Sequence, residues 1–205
     1  MIAILDIGMG NVKAFSDVYK KLNIPSVIVK QAEGLNNASK VILPGVGAFD
    51  HAMQRLEKSG MRQILDQMVL QRHVPVLGIC VGMQMLAGSS EEGSLPGLGW
   101  IDGEVKRFNS LSTGHSLRVP HMGWNNIIPS NKHNDLLQGL DIDARFYFLH
   151  SYYFHCCRSE DVIAVTDYGE KFACAVNRGN VFGVQFHPEK SHQWGIRLLG
   201  NFAKS

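Results

Sequence analysis

The segment that most restricts the fold is Val74, Pro75, Val76, Leu77, Gly78, Ile79, Cys80, Val81, Gly82, an apolar run that enters Gly-x-Cys-x-Gly and then a helical stretch at 83–87. A strand that turns this sharply into a helix forces the central residue into a strained conformation with its side chain presented outward. The backbones then approach so closely that the flanking positions must be small, and Gly78 and Gly82 are those flanks. Such a nucleophile elbow belongs to α/β proteins.

The rest of the first half agrees. Short apolar runs at 2–5, 27–29, 41–43 and 74–79 alternate with amphipathic segments, the rhythm of a doubly wound, mostly parallel sheet. Asn11 is placed to cap a helix whose Val12, Phe15, Tyr19 and Leu22 share one face, with Pro25 marking its end. Met61, Ile64, Leu65, Met68 and Val69 repeat the helical spacing and read as core. After residue 88 the chain becomes Gly-rich and strand-like at 100–108, 146–153, 162–166, 172–177 and 181–186, which predicts β-hairpin insertions. A final helix is predicted over 192–203. The expected fold is one α/β domain spanning 1–205, a three-layer sandwich around a mostly parallel sheet, and 205 residues leave little room for a second full domain.

Composition removes several functions. Twenty Lys plus Arg against eighteen Asp plus Glu give a net charge of +2, too small and dispersed for nucleic-acid or membrane-surface binding. The run at 1–5 ends at Asp6, has no basic segment before it and is far shorter than a signal-peptide core or membrane span. Four cysteines, two of them adjacent at Cys156 and Cys157, make no disulfide framework and no Cys-x-x-Cys pair, so we expect a reducing, cytoplasmic setting and neither structural zinc nor any other metal.

At Cys80, a helix N-terminus favours thiolate over thiol and aims the Val81 amide at a developing oxyanion. A cysteine between glycines after an apolar strand is also the pattern of a buried structural thiol, so a base is needed. His187-Pro188-Glu189 supplies one directly after the strand at 181–186, with His and Glu on the same turn. Pro44-Gly45-Val46-Gly47 lies at another strand end, where glycines can rotate a peptide N–H toward an anion or simply form a strand-to-helix loop. Carboxyl ends of neighbouring parallel strands converge on one crevice, which would bring this loop and Cys80 to one pocket.

Pro44 to Gly47, Gly78-Ile79-Cys80-Val81-Gly82-Met83-Gln84 and His187-Pro188-Glu189 resemble the motifs of the class I, triad-type glutamine amidotransferases. The resemblance runs from end to end. Asp6 to Asn11, Ser90 to Gly93, Pro120 to Asn125, Phe148 to Tyr152 and Gln185 to Ser191 are similar to the branch of that family that serves as a glutaminase subunit for an ammonia-using cyclase in histidine biosynthesis. It implies Cys80 as nucleophile, His187 as acid/base and Glu189 as its orienting partner, with the Val46 and Val81 amides as oxyanion hole. Gly47, Gln84, Glu92, Ser151 and Tyr152 correspond to glutamine-binding positions. His121, Met122, Gly123, Trp124 and Asn125, together with Asn11 and Lys190, would face the cyclase subunit of a heterodimer. No cofactor is implied. Val81 and Met85 stand where leucines are common, and Val12-Lys13-Ala14 replaces a more usual Leu-Arg-Ser; none touches the triad.

Paralogues that feed sugar amidation in surface-polysaccharide synthesis share nearly every one of these motifs. Two further readings compete: a cysteine peptidase or deglycase-like hydrolase on a similar scaffold, which need not carry His-Pro-Glu after a late strand, and a catalytically idle interaction subunit, which must explain an intact nucleophile, base and orienter. The chain has no phosphate-binding P-loop and no dinucleotide fingerprint, so acceptor chemistry falls to a partner. Cys156, Cys157 and Cys174 are expected in strands as core or incidental residues, and His51, His73, His115, His133, His155 and His192 as surface or structural ones.

Overall fold

The computed structural model describes residues 1–108, 118–130, 134–140 and 143–205; His115 and His133 lie outside the described residues. The first half runs β1 (Ile2–Leu5), α1 (Val12–Lys21), β2 (Ser26–Val29), β3 (Lys40–Gly45), α2 (Phe49–Lys58), α3 (Arg62–Asp66), β4 (Val76–Cys80) and α4 (Val81–Gln84). The second runs β5 (Ser89–Ser90), β6 (Gly103–Arg107), β7 (His121–Asn126), β8 (Ile128–Pro129), β9 (Arg145–His150), β10 (Tyr152–Cys156), β11 (Val162–Asp167), β12 (Lys171–Arg178), β13 (Val181–Val184) and α5 (His192–Lys204).

Strands β2-β1-β3-β4-β13 form a parallel centre, and β12, β10, β6 and β5 continue the sheet, with β11 and β8 attached beside β12. Every residue of β1, β4 and β13 is buried, which is why these strands are continuously apolar rather than alternating. The chain leaves β1 toward β2 on one side and proceeds from β3 to β4 on the other. Right-handed crossovers therefore set α1 and α2 on opposite faces of the sheet. α1 packs with α5, and α2 with α4, completing three layers.

Local chemistry explains the helix ends. Asn11 Oδ1 accepts the Ala14 N–H at 3.3 Å, the cap expected for α1, and Lys20 and Lys21 sit in its last turn where the helix dipole favours cations. The α2 N-terminus has no cap of its own. Glu92 supplies one from a distant loop, its Oε2 accepting the Phe49 N–H at 2.9 Å. The Asp50 carboxylate accepts the Ser94 and Leu95 N–H groups, bonds that hold it below the usual carboxylate range.

Four expectations need correction. The helix after the elbow is α4, starting at Val81 rather than 83, because Cys80 itself is the N-cap residue. The spacing at 61–69 is helical but not one α-helix: α3 is followed by a π-helical stretch, Gln67–Gln71, that keeps Met68 and Val69 buried together. The run at 146–153 is not one strand. It breaks at Ser151 into β9 and β10, and among the described residues β9 pairs with β7 in a two-stranded antiparallel ribbon set apart from the main sheet, with one isolated bridge from Tyr147 to His187. Finally, Cys157 lies beyond the end of β10 and is exposed, whereas Cys174 is buried in β12 as expected.

Candidate active site

Cys80 closes β4 with φ 55° and ψ −111°, the left-handed strain an elbow requires of a residue with a side chain. The glycines around it are there for clearance. A Cβ on Gly82 would overlap the Leu43 carbonyl oxygen, and one on Gly78 would collide with the Gly82 backbone. Gly45 pairs with Cys80 across β3 and β4, so the loop leaving β3 arrives beside the thiol, and Gly47 (φ 102°) turns it there.

His187 follows β13. Its backbone N–H donates to Tyr147 O at 2.9 Å, and its Nδ1 lies 2.8 Å from Glu189 Oε1. The carboxylate accepts only, so Nδ1 carries the proton and Nε2 is left for Cys80. Burial pushes the imidazole down, but hydrogen bonds to Cys80 and Glu189 outweigh it and raise the pKa to about 9. The other carboxylate oxygen, Glu189 Oε2, is buried with no partner among the described residues, so this charge leans on His187. The arrangement can hold a proton at the imidazole while a sulfur nucleophile acts beside it.

A cleft of about 250 Å³ opens over the sulfur, and Val46, Gly47, Val81, Gln84, Glu92, Ser151 and Tyr152 all line it with Cys80 and His187. As first residue of α4, Val81 has no intrahelical acceptor for its N–H. Glu92 also caps α2, and the Gln84 amide donates to Tyr152 O at 3.0 Å and Gln185 Oε1 at 3.1 Å, so both contribute to the cleft wall through neighbours. Pro120, Leu149 and His150 line the same cleft; they lie in the resembling motifs but carry no expected role. The same holds for Gln185, whose signal is a lone polar residue between Val184 and Phe186. Among the described residues no group of three or more His, Cys, Asp or Glu is placed to hold a metal ion.

The stretch 121–125 does not present itself as one face. β7 alternates, as any strand does. Met122 is 61% and Trp124 40% exposed, whereas His121 is 3% exposed, stacked on Phe148 and Tyr168. The expectation that His121 touches a partner is therefore corrected: its side chain points inward. Asn125 Nδ2 donates to Asp167 O at 2.8 Å. Across the ribbon, Leu149 and Tyr147 pair with Met122 and Trp124, and Lys190 lies over the Tyr147 ring, so an exposed apolar and aromatic face borders the cleft. Asn11 is exposed at the start of α1.

An α/β sandwich with a strained cysteine elbow and a histidine–carboxylate pair behind it is the architecture of the glutamine amidotransferases. The profile of that family, Glutamine amidotransferase class-I, matches residues 3–204, and the chain belongs to it. It is 55% identical over 204 residues to the imidazole glycerol phosphate synthase subunit HisH of Bdellovibrio bacteriovorus, covering 100% of both chains. It is likewise 55% identical over 203 residues to the protein of that name from Leptospira interrogans, covering 99% of each. Among solved structures, a glutamine amidotransferase superimposes with TM-score 0.73 at 20% identity, covering 100% of this chain and 99% of that one. PurLQS from Thermotoga maritima gives 0.76 at 16% identity, covering 99% and 97%.

Proposed function

We propose that Cys80, His187 and Glu189 hydrolyse the side-chain amide of L-glutamine to glutamate and ammonia, and that the chain is the glutaminase subunit of imidazole glycerol phosphate synthase in histidine biosynthesis. The observation that carries the chemistry is the Cys80 elbow, with its sulfur in the cleft and His187 held by Glu189 at 2.8 Å. The full-length likeness to HisH proteins at 55% identity supports the pathway over sugar amidation or peptide hydrolysis. The Cys80 thiolate attacks the amide carbon, and the Val46 and Val81 N–H groups receive the oxyanion; one such donor is worth about 3 kcal/mol or more. His187 gives its proton to the departing nitrogen, so ammonia leaves and a glutamyl thioester remains. It then takes a proton from the water that hydrolyses the thioester to glutamate and free thiol.

Ammonia in neutral water is mostly ammonium and no nucleophile, so it must pass directly to an acceptor. The face of Met122, Trp124, Tyr147, Leu149 and Lys190, together with exposed Asn11, is the surface we assign to the cyclase subunit, which uses that ammonia to form imidazole glycerol phosphate and AICAR. Its exposed apolar centre and charged edge are the make-up of a protein interface. The four free cysteines support a reducing, cytoplasmic setting. The test is release of glutamate and ammonia from glutamine by the chain alone and with the cyclase subunit. Activity that survives Cys80→Ala would refute the mechanism, and failure to form a complex with the cyclase would refute the assignment to this synthase.

A further inference from the structure

Gln185 is fully buried, and its Nε2 lies 3.8 Å from Cys80 Sγ. The two ends of an amide have the same shape, so something must turn the NH₂ rather than the oxygen toward sulfur. Gln84 does this. Its two Nε2 protons meet two acceptors, Tyr152 O at 3.0 Å and Gln185 Oε1 at 3.1 Å. With Oε1 of Gln185 committed as acceptor, its NH₂ is the end left for the thiol.

The same reasoning continues outward. Tyr152 O also faces His150 Nδ1 at 2.8 Å, and a carbonyl can only accept, so His150 carries its proton on Nδ1. Its bare Nε2 then accepts from His121 Nδ1 at 3.0 Å, which leaves His121 Nε2 bare to face Asn125 Nδ2 at 3.4 Å. The Tyr152 carbonyl thus fixes both branches, the Gln84 amide on one side and His150 followed by His121 on the other. The chain requires both imidazoles to be neutral, since an imidazolium has no acceptor nitrogen. Burial keeps His121 down at about 4 and His150 at about 3, the latter outweighing the Tyr152 hydrogen bond that raises it.

We propose that Gln185 is a further catalytic residue, donating an N–H to the Cys80 thiolate, that Gln84 turns its amide into that orientation, and that His150, held by His121 and Asn125, is a positioning residue that keeps the Tyr152 carbonyl in place for Gln84. The proposal deepens the glutaminase reading and rests on Cys80 being its nucleophile. A neutral donor stabilises S⁻ more than S–H. Gln185 thus approaches the sulfur as a second support beside His187, itself backed by Glu189. The relay begins on β7, the strand that also carries Met122 and Trp124.

The experiment measures the pH dependence of iodoacetamide alkylation at Cys80, which borders the cleft, read by mass spectrometry on its own peptide because Cys157 is exposed and competes for the reagent, together with kcat and KM for glutamine. Loss of one hydrogen bond to a charged sulfur predicts that Gln185→Leu moves the low-pH midpoint up by about one unit and lowers kcat about tenfold, with KM little changed. His121→Phe keeps the aromatic stack but removes the donor to His150, and should move the midpoint the same way by less. His121→Gln can donate to His150 and accept from Asn125, and should restore it. A wild-type midpoint in Gln185→Leu overturns the donor role. If that variant does not fold, identical midpoints in His121→Phe and His121→Gln overturn the relay instead. Alkylation needs no turnover, so these shifts, measured against a wild-type protein that releases no ammonia even with the cyclase subunit, refute the glutaminase reading and leave the donor role standing.

Discussion

Replacing Glu189 by Gln tests the site at its least compensated point. Glu189 Oε1 lies 2.8 Å from His187 Nδ1 while Oε2 is buried without a partner among the described residues. An amide there has two placements, both poor. With oxygen toward Nδ1 the tautomer survives, but the bond loses its charge and a buried NH₂ replaces Oε2 with nothing to donate to. With nitrogen toward Nδ1 the imidazole must move its proton to Nε2 and can no longer accept one at Cys80. The first placement removes one charge-assisted hydrogen bond, about 1.5–3 kcal/mol, which corresponds to a drop in kcat of roughly 10- to 100-fold and more if the second is populated. The His187 pKa, held at about 9, should fall by about 1–2 units, because Glu189 is one of the two groups that raise it. Paired measurements decide the matter: kcat against pH, and ¹⁵N titration of the His187 ring in both proteins. The alkaline limit of the protonated imidazole should move toward neutral pH. Unchanged kcat with an unchanged His187 titration would refute the role assigned to Glu189.

Cys80→Ala should abolish glutamine hydrolysis while the complex with the cyclase still forms and still turns over on ammonium salt at raised pH, and loss of that ammonium-dependent turnover would argue against free ammonia as the transferred species. Gly82→Ala places a methyl group against the Leu43 carbonyl, which cannot yield without moving β3, so we expect destabilisation of about 1–3 kcal/mol or more in urea titration, and a wild-type midpoint would contradict the elbow packing. His121 and His150 have folded pKa values depressed from 6.5 to about 4 and about 3, so the unfolded chain binds protons first as pH falls, and stability is lost from about 6.5 downward at about 1.4 kcal/mol per histidine per pH unit. His187 is raised, so its contribution is complete below 6.5 and lost as pH rises through about 9; denaturation midpoints should peak near neutral pH, with a shallower acid limb in His121→Phe. Trp124→Ala should weaken the cyclase complex by about tenfold or more without altering thiol alkylation, and unchanged affinity would remove this side chain from the interface.

The sequence revealed features made of local rules and hid those made of distant partners. The elbow, the Asn11 cap and the His187–Glu189 turn are legible because residue type and spacing over a few positions dictate them. The α2 helix shows the limit: its N-terminal contacts are Glu92 and the loop at 94–95, more than forty residues away, and nothing beside Phe49 announces it. The break at Ser151 is hidden for the same reason, because the apolar run 146–153 continues across it while its two halves pair with different strands. The resemblance treats 121–125 as one block facing the cyclase, whereas period-two alternation on β7 puts the His121 side chain in the inner row. Gln185 and His150 acquire meaning only once Gln84 and Tyr152 are brought beside them.

The ribbon of β7 and β9 ties two selective pressures to one reading frame. Its outward positions, 122 and 124, meet whatever lies outside, while inward His121 and the neighbouring Asn125 bond into the wall of the cleft. Deleting a single residue before Met122 would exchange the two rows, turning a histidine to the surface, setting the methionine opposite the buried imidazole of His150 and the tryptophan opposite Phe148. This ribbon can therefore diverge by substitution but not by a change of length. A lineage acquiring a new partner could alter positions 122 and 124 freely while keeping 121 and 125, whose neighbours reach the reacting sulfur.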